Sequence, residues 1–292
     1  MATYDEKIQQ EAELWGREAE RMAQNIAPDW REHQYLLHNR ILHGEYINCL
    51  LDRITPGMQT LELGCASGWL TLAMAQRGAE ATGLDVSEKS LAIARDYYNQ
   101  IADDVLGTAH YRWADLNELA LAPDTYDVVV VKATLHHLVN MDDVIATVHR
   151  ALKPGGLFWI SDTLEDEHMS TVLFASGLTF LLPTAVSYRE KIGGLLKFGL
   201  NAPERIKMSM EAEGLSPFEG AGRNHNWLEL TEKRFSIERV IVPPAVTGYV
   251  TAQLKLPDAI AVPLLRGLKA VDKMLVAIGI LKPSARIVYA RK

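Results

Sequence analysis

The sequence predicts an α/β fold, a doubly wound and mostly parallel sheet with helices on both faces. Between residues 59 and 161, short apolar runs alternate with amphipathic segments, a pattern that indicates parallel strands joined by right-handed crossovers. The run 128–131 is apolar at every position, as expected of a strand that helices cover on both faces. A last segment, 285–291, alternates apolar and polar residues and is predicted to close the sheet.

The individual elements follow from the spacing of apolar residues and from the turn residues between them. Strands are predicted at 59–63, 80–84, 109–113, 127–131, 157–161, 235–242 and 285–291. Helices within the alternating region are predicted at 69–77, 88–99 and 142–152. Ser87 and Asn140 stand where N-caps belong, and the Pro-Gly-Gly turn at 154–156 is expected to end the third helix.

The sheet-forming core takes up only part of the chain. We assign residues 45–162, 235–244 and 284–292 to it, which leaves an N-terminal helical segment, 1–44, and two helical insertions, 163–234 and 245–283. In the second insertion apolar residues recur at helical spacing with charged residues between them: Leu264, Leu265, Leu268, Val271, Leu275 and Ile278, interrupted by Arg266, Lys269, Asp272 and Lys273. This apolar face is expected to pack on the core. A lipid-facing or dimer-forming helix is the alternative.

Composition excludes several classes of function. The formal net charge is −7, from 30 Lys and Arg against 37 Asp and Glu, and no basic run compensates, which argues against a nucleic-acid partner. The two cysteines, Cys49 and Cys65, lack the spacing of a zinc site or a disulfide framework, so no metal is expected. We see no signal peptide, and the weakly polar run 169–186 is too short to span a bilayer, so it is expected to form a buried or lid helix. A soluble, cytoplasmic protein is therefore expected.

A small-residue loop follows the first predicted strand. The stretch Leu61-Glu62-Leu63-Gly64-Cys65-Ala66-Ser67-Gly68 runs from an apolar strand into a helix. In doubly wound sheets, ligands bind at the carboxyl ends of strands. Gly64, Ala66 and Gly68 would let a ligand approach the backbone closely.

The loop does not match the dinucleotide fingerprint G-x-G-x-x-G. Counted from Gly64, Ala66 and Trp69 occupy the other two glycine positions. Glu62 also disfavours a pyrophosphate, because a carboxylate suits a cationic ligand such as an ammonium or a sulfonium. A nicotinamide-dependent oxidoreductase is therefore the less favoured reading.

Two further acids follow strands in the same way. Asp85 ends the second predicted strand, where an acid can accept hydrogen bonds from both hydroxyls of a ribose. Asp115 follows the third strand, where its carboxylate could accept from an adenine amino group, with Ala114 and Leu116 beside it. Turn and helix-entry acids are the alternative reading of both.

These motifs together resemble those of the class I S-adenosylmethionine-dependent methyltransferases. The segments ELGCASG, LDVS, ADL, YDVVVVKATLHHL and RALKPGGLFWISD occur in the family's order, over roughly residues 45–162. The resemblance implies a Rossmann-like sheet of seven strands with the last one antiparallel. It also implies S-adenosylmethionine as cofactor, released as S-adenosylhomocysteine. Ala66, in place of the usual central glycine, is a mild departure.

By that resemblance, the cofactor's parts are assigned to successive strand ends. The loop of Gly64, Cys65, Ala66 and Gly68 holds the methionine part, with Glu62 beside it. The remaining cofactor-binding candidates are Asp85, Val86 and Ser87 at the ribose, Ala114, Asp115 and Leu116 at the adenine, and Lys132 and Ala133 near the transferring methyl. Trp30 and Tyr35 in the N-terminal helices are candidates for covering the cofactor, against ordinary packing of aromatic side chains.

Catalysis and the acceptor are less constrained by the sequence. His136 and His137 follow the fourth strand and either could be a general base; the alternative is that one packs under the sheet and the other caps the next helix. In the family, the N-terminal segment and the insertions form a lid and the acceptor pocket, and here the insertions could also mediate a homodimer. We expect methyl transfer to a small-molecule acceptor, first a hydroxyl of a sugar-like compound or secondary metabolite. The alternatives are C- or N-methylation of a hydrophobic or lipid-linked acceptor, and a non-catalytic module that only binds the cofactor.

Overall fold

The computed structural model describes residues 3–23, 39–166, 168–184, 186–198, 216–218 and 226–292. Its centre is a seven-stranded sheet in the order β3-β2-β1-β4-β5-β7-β6. The strands are β1 Gln59–Leu63, β2 Glu80–Asp85, β3 Thr108–Trp113, β4 Tyr126–Lys132, β5 Leu152–Thr163, β6 Ser236–Ile241 and β7 Ala285–Arg291. β7 pairs antiparallel with both β5 and β6, and the other neighbouring pairs are parallel. The predicted Rossmann-like sheet with an antiparallel last strand is confirmed.

Helices flank the sheet and build the additions to it. They are α1 Tyr4–Ala23, α2 Gly44–Leu51, α3 Trp69–Gln76, α4 Glu88–Ile101, α5 Met141–Ala151, α6 Met169–Leu181, α7 Tyr188–Phe198, α8 Trp227–Glu232, α9 Thr247–Gln253 and α10 Asp258–Ala277. A π-helical turn, Asn39–His43, precedes α2, and 3₁₀ turns occur at Ala102–Asp104, Leu116–Glu118 and Leu135–His137. Among the described helices, none combines the length and the apolar character that crossing a bilayer requires.

The predicted boundary between the third helix of the alternating region and the fifth strand is wrong. The sequence placed Leu152 in a helix that the Pro-Gly-Gly turn would end, yet α5 ends at Ala151 and β5 already begins at Leu152. The turn is drawn into the sheet because it pairs with the end of the chain: Gly155 donates to the Lys292 carbonyl and Lys292 donates to the Gly156 carbonyl. The long β5 carries its carboxyl end out to Thr163, next to the site described below.

The core lies on both faces of the sheet, as the apolar run in β4 predicted. Alternate residues of β4 face opposite ways: Val128 and Val130 pack with α2, α3 and α4, whereas Val129 and Val131 pack with α5. All four side chains are at most 3% exposed. Covering both faces this way leaves the carboxyl edge of the strands as the place where ligands can reach the sheet.

The second insertion is built around a buried acid. Asp272 of α10 is fully buried, and its carboxylate accepts hydrogen bonds from the backbone N–H groups of Ala245, Val246 and Thr247 and from the Thr247 hydroxyl. It thereby satisfies the orphan donors at the start of α9. The sequence prediction placed Asp272 among the charged residues of the polar face of α10, and this is wrong. The prediction used only the polarity of the side chain, which does not indicate that its hydrogen-bond partners lie in the protein interior. The same prediction expected the apolar residues of α10 to pack on the core, and this is wrong for three of them, which are 40–62% exposed: Leu264, Val271 and Ile278.

Removing this acid is expected to destabilise the protein. Asp272→Ala leaves several buried N–H groups without an acceptor, which should lower the free energy of unfolding by about 2 kcal/mol. Urea unfolding followed by circular dichroism measures the change. The matched control is Asp258→Ala on the same helix, whose side chain is 75% exposed and should change stability by less than about 0.5 kcal/mol. Equal stability of Asp272→Ala and the wild type would contradict the anchoring role.

Candidate active site

The loop after β1 combines unusual backbone angles with a lack of space. Gly64, Ala66 and Gly68 have φ values of 74°, 46° and 78°, in the left-handed region. A Cβ on Gly64 would lie 2.2 Å from the Thr134 hydroxyl, and one on Gly68 would lie 2.3 Å from the Tyr111 ring. Glycine is therefore required at positions 64 and 68, whereas Ala66 adopts its left-handed conformation at some cost in backbone strain. The loop thus presents backbone rather than side chains to the cleft.

Asp85 fastens this loop to the end of β2. Its Oδ2 accepts from the Ala66 N–H at 2.8 Å and its Oδ1 accepts from the Ser87 N–H at 2.8 Å. Burial raises the pKa of the carboxyl, against the opposing effect of these backbone hydrogen bonds. Each carboxylate oxygen accepts more than one hydrogen bond, so both can still accept from a ligand. The Ser87 hydroxyl accepts from the Ser90 N–H and caps α4, as predicted, while Val86 is half-buried between them.

Glu62 lies under the loop with one oxygen engaged. The backbone N–H and the hydroxyl of Thr71 both donate to its Oε2, at 2.7 and 2.5 Å. Within the described part of the chain, Oε1 accepts no hydrogen bond. Burial raises the pKa of Glu62 to about 8, although Thr71 and the nearby charge of Lys132 oppose the rise. A ligand ammonium at Oε1 would favour the ionised carboxylate, so this site fits the amino-acid end of a cationic cofactor.

The pKa of Glu62 gives a testable effect on stability. The folded carboxyl keeps its proton up to about pH 8, whereas the unfolded glutamate releases it near 4.5, so stability falls as the pH rises between these values. Glu62→Gln keeps an acceptor for Thr71 and cannot ionise. From thermal melting we expect its free energy of unfolding to exceed that of the wild type at pH 8.5 by up to about 5 kcal/mol and to match it at pH 4, below both pKa values. The exposed Glu118→Gln serves as control; an equal gain at both pH values would contradict the prediction.

Cys65 contributes its backbone rather than its thiol. The side chain is 1% exposed and lies where a Cβ on Gly83 would come within 2.8 Å of its Sγ. Burial raises the pKa of the thiol well above its usual range. The backbone N–H of Cys65 donates to the Leu84 carbonyl and joins the loop to β2. Any contact of this residue with the cofactor would therefore come from its main chain.

The N-terminal helix α1 contacts Asp115, which follows β3. The Tyr4 hydroxyl donates to Asp115 Oδ2 at 2.7 Å, while Asp115 Oδ1 accepts from the Asn117 N–H and caps the turn Leu116–Glu118. Burial and the neighbouring Asp115 raise the pKa of Tyr4. Leu116 is buried and Ala114 is half-buried beside them. Sequence reasoning missed Tyr4, since a contact over 111 positions leaves no local signal.

Trp30 and Tyr35, predicted to cover the cofactor, lie outside the described residues. Helix α1, which reaches Asp115 through Tyr4, is held on α4. The Ser90 hydroxyl donates to the Trp15 carbonyl at 3.2 Å, and Lys89 forms an ion pair with Glu20.

The end of β4 turns sharply into the cleft. Ala133 has a left-handed φ of 52° and is exposed, and its N–H donates to the Ser161 carbonyl of β5. The ammonium of Lys132 lies 5.9 Å from the centre of the Trp69 ring, and burial lowers its pKa. The Lys132 charge therefore lies near Glu62, and the contact of Lys132 and Ala133 with the transferring methyl stays a prediction.

The two predicted histidines differ in their surroundings. His136 places Nδ1 at 2.5 Å from Asp162 Oδ1 and is partly exposed. His137 is buried beneath α1, with its ring edge-on to Trp15 and its Nδ1 at 3.7 Å from Glu11. Burial and the neighbouring His136 lower the pKa of His137 to about 3, so this ring stays neutral at ordinary pH.

Asp162 is the main residue that sequence reasoning missed. It is the penultimate residue of β5, and its side chain is buried. Its carboxylate accepts from the N–H groups of Thr134, Leu135 and Thr163 as well as from His136. An acceptor at Nδ1 fixes the proton of a neutral imidazole there and makes Nε2 the basic nitrogen. The signal was present in the sequence, since Asp162 follows a predicted strand just as Asp85 and Asp115 do.

Comparisons with known proteins give one consistent result. Residues 61–160 match the family described as a methyltransferase domain. A protein of Dechloromonas aromatica (strain RCB) named ubiquinone biosynthesis O-methyltransferase is 30% identical over 178 residues, which cover 61% of this chain and 72% of that protein. The protein of the same name from Agrobacterium fabrum is 26% identical over 196 residues, which cover 66% of this chain and 73% of that protein.

Solved structures share the fold at low sequence identity. A complex of the Haloferax volcanii Trm112 methyltransferase activator with a methyltransferase matches 96% of this chain and 95% of the other, with a TM-score of 0.52 and 14% identity. An S-adenosylmethionine-dependent methyltransferase from Methanosarcina mazei matches 84% of this chain and 96% of the other, with a TM-score of 0.50 and 16% identity. At these identities the likeness concerns the fold.

Proposed function

Since the chain belongs to the class I S-adenosylmethionine-dependent methyltransferases, we propose that it transfers the methyl group to a hydroxyl oxygen of a small aromatic acceptor, with His136 as the base. The observation that carries this proposal is the contact between His136 and Asp162 at the carboxyl edge of the sheet. Methyl transfer to a neutral hydroxyl releases a proton, and a positioned base accelerates such a step by typically about 10²–10⁴-fold.

In this proposal the cofactor-binding residues act in two ways: some through carboxylate side chains and others through their backbone. S-adenosylmethionine supplies a methyl carbon activated by a cationic sulfur. In our proposal the open Oε1 of Glu62 receives the ammonium, and the Gly64–Gly68 loop presents its backbone to the amino-acid part. Asp85 accepts from the ribose hydroxyls, while Asp115, with Ala114 and Leu116, frames the adenine. The acids also attract the cation electrostatically, which suits a ligand that carries positive charge on two atoms.

The buried acid decides which ring nitrogen acts. Asp162 holds Nδ1–H of His136, so Nε2 accepts the proton of the acceptor hydroxyl as its oxygen attacks the methyl carbon. Asp162 also stabilises the imidazolium that results. His137 is given a packing role, because a pKa of about 3 makes it a poor base.

The nature of the base favours one kind of hydroxyl. A phenol has a pKa near 10, close enough to that of an imidazole for effective proton transfer, whereas a sugar hydroxyl is far less acidic. The names of the relatives support the same direction, since they are O-methyltransferases of ubiquinone biosynthesis. We therefore place hydroxylated aromatic compounds ahead of the sugar-like acceptors expected from the sequence.

A panel assay tests this function. The enzyme is incubated with S-adenosylmethionine carrying a ¹³C-labelled methyl group and with matched phenols, sugars, amines and carbon acids. Release of S-adenosylhomocysteine identifies the acceptor, and NMR of the product locates the label. A label on a phenolic oxygen is the expected result. A label on carbon or nitrogen, or turnover with sugars alone, would contradict the proposal.

A further inference from the structure

Strand geometry places Lys132 and Glu62 on the same face of the sheet. Leu61 and Leu63 of β1 pack toward α5, so Glu62 between them lies on the opposite face, which α3 covers. Val130 of β4 pairs in register with Glu62 and packs on that same face. Lys132 follows two positions later at the end of β4. Because side chains alternate along a strand, Lys132 shares the face of Glu62.

The first turn of α3 contacts both charged residues. Thr71 donates to Glu62 Oε2 through its backbone N–H and its hydroxyl. Two residues earlier, the centre of the Trp69 ring lies 5.9 Å from the Lys132 ammonium. Each charge also acts on the pKa of the other: Lys132 opposes the rise at Glu62, and Glu62 opposes the fall at Lys132. One carboxylate and one ammonium are therefore held close together, beside the loop after β1.

The Lys132 ammonium has no anionic contact of its own. In the part of the chain that the structure describes, it forms neither a hydrogen bond nor an ion pair, and Glu62 and Asp162 act on it only as charges at a distance. The side chain is half-buried, so the cation has lost much of its hydration. An uncompensated charge in a cleft is costly, which makes Lys132 a candidate for binding an anionic group of a ligand.

The amino-acid part of S-adenosylmethionine carries both charges that this pair can bind. Its ammonium and its carboxylate are attached to the same carbon atom, so a carboxylate and an ammonium of the protein must lie close together to reach both. Oε1 of Glu62 is open to the ligand ammonium, which leaves Lys132 for the ligand carboxylate. A cation placed at the sulfonium would instead repel the cofactor.

The proposed base lies on the other face of the sheet. Lys132 pairs in register with Ser161 of β5, and Asp162 is the next residue along that strand. Since neighbouring residues of a strand point to opposite faces, Asp162 starts from the face opposite to Lys132. Asp162 holds His136. This separation places Lys132 with the cofactor's amino-acid part rather than with the acceptor hydroxyl.

We propose that the Lys132 ammonium binds the carboxylate of the cofactor, so that Glu62 and Lys132 together recognise the zwitterionic amino-acid part. This inference rests on the proposed placement of the ligand ammonium at Glu62, and on neither the acceptor nor His136. It makes Lys132 a specificity residue, which favours the cofactor over adenosine thioethers that lack a carboxylate. The contact with the transferring methyl that the resemblance implied is the alternative.

Calorimetry with three ligands tests the proposal on the full chain without an acceptor. The ligands are S-adenosylhomocysteine, its analogue without the carboxylate, in which mercaptopropylamine replaces homocysteine, and its analogue without the ammonium, in which mercaptobutyrate replaces homocysteine. We expect the wild type to bind each analogue at least about tenfold more weakly than S-adenosylhomocysteine, because one charge-assisted contact is lost in each case.

Substitutions should remove the two preferences separately. Lys132→Met should bind S-adenosylhomocysteine and the analogue without the carboxylate within about threefold of each other, while it still discriminates against the analogue without the ammonium. Glu62→Gln should show the opposite pattern. The matched control is Lys233→Met, which removes an exposed lysine after α8 and should bind all three ligands like the wild type. Lys132→Arg keeps the charge and should retain part of the preference for the carboxylate.

Four results would overturn the proposal. They are a wild type that binds the ligand without the carboxylate as tightly as S-adenosylhomocysteine, a Lys132→Met variant that discriminates as sharply as the wild type, an equal loss of affinity for all three ligands, and unchanged affinities with reduced turnover. The third would give Lys132 a structural role in the loop, and the fourth would place it at the methyl or the acceptor. Thermal melting confirms folding, and the wild-type and Lys132→Arg comparisons decide the matter should Lys132→Met not fold. An unchanged ammonium preference in Glu62→Gln would refute only the proposed placement at Glu62.

Discussion

Replacing His136 by alanine is expected to lower kcat by about 10²–10⁴-fold with a phenolic acceptor, because the variant loses the group that takes the proton. Cofactor affinity should change little, since the ring is held by Asp162 and not by the loop after β1. Initial rates of S-adenosylhomocysteine release and calorimetric titration with S-adenosylhomocysteine measure the two quantities.

The acceptor provides an internal control for this loss. A phenol bearing electron-withdrawing groups is already ionised at the assay pH and needs no base. With that acceptor His136→Ala should retain most of the wild-type rate, and with ordinary phenols its rate should rise as the pH increases. If the His136→Ala variant had the full kcat on a neutral phenol, His136 would not be the base. His137→Gln is the matched variant and should stay within a few-fold of the wild type, because the native ring is neutral and packed beneath α1.

Asp162 should act only through His136. Asp162→Asn is expected to lower kcat because an amide can present its N–H to Nδ1 and so favour the wrong tautomer. In a His136→Ala background the same substitution should cost no further turnover, which a merely structural role would not produce. Thermal melting must accompany this cycle, since Asp162 also accepts from three backbone N–H groups. A further loss of kcat in the double variant would assign Asp162 a separate task.

Local signals in the sequence were sufficient for the sheet and the loop after β1. The strands of the core are short apolar runs bounded by turn residues, and Ser87 caps α4 through its own side chain, so each can be predicted from neighbours in the chain. The small residues at 64, 66 and 68 likewise indicated a loop that exposes its backbone, because they are neighbours in the chain. Their left-handed angles are the local property that glycine-rich loops provide.

Contacts between distant parts of the chain were not predictable in this way. Tyr4 reaches Asp115, and Asp272 holds the start of α9 from 25 to 27 positions away, although nothing in the spacing of either residue indicates a partner. α10 shows why a helical pattern can mislead. Its apolar residues occupy more than one face, so the pattern alone does not say which of them the core will cover. The hydrogen bonds of the buried Asp272 set which face of α10 points inward, and Val271 and Met274 lie in solvent.

Substitution of Asp85 by alanine is expected to weaken cofactor affinity by about 10²–10³-fold. In the proposed site, the substitution removes two hydrogen bonds from ribose hydroxyls to a buried carboxylate, each worth about 1.5–3 kcal/mol, and the two contributions are not fully additive. The same carboxylate also holds the Ala66 and Ser87 N–H groups, so part of the loss could come from the loop rather than the ribose. Asp85→Asn separates the two, since the amide oxygen can keep one of these acceptor roles.

A ligand change isolates the ribose contact itself. Calorimetry compares S-adenosylhomocysteine with its 2′-deoxy analogue on the wild type and on Asp85→Asn. The wild type should bind the deoxy analogue at least about tenfold more weakly, because a buried acceptor then loses its donor, and in Asp85→Asn this preference should shrink markedly. The matched control is Asp115→Asn, at the adenine end, where the full preference for the 2′-hydroxyl should remain. If Asp85→Asn distinguishes the two ligands as sharply as the wild type does, its carboxylate shapes the loop and does not bind the sugar.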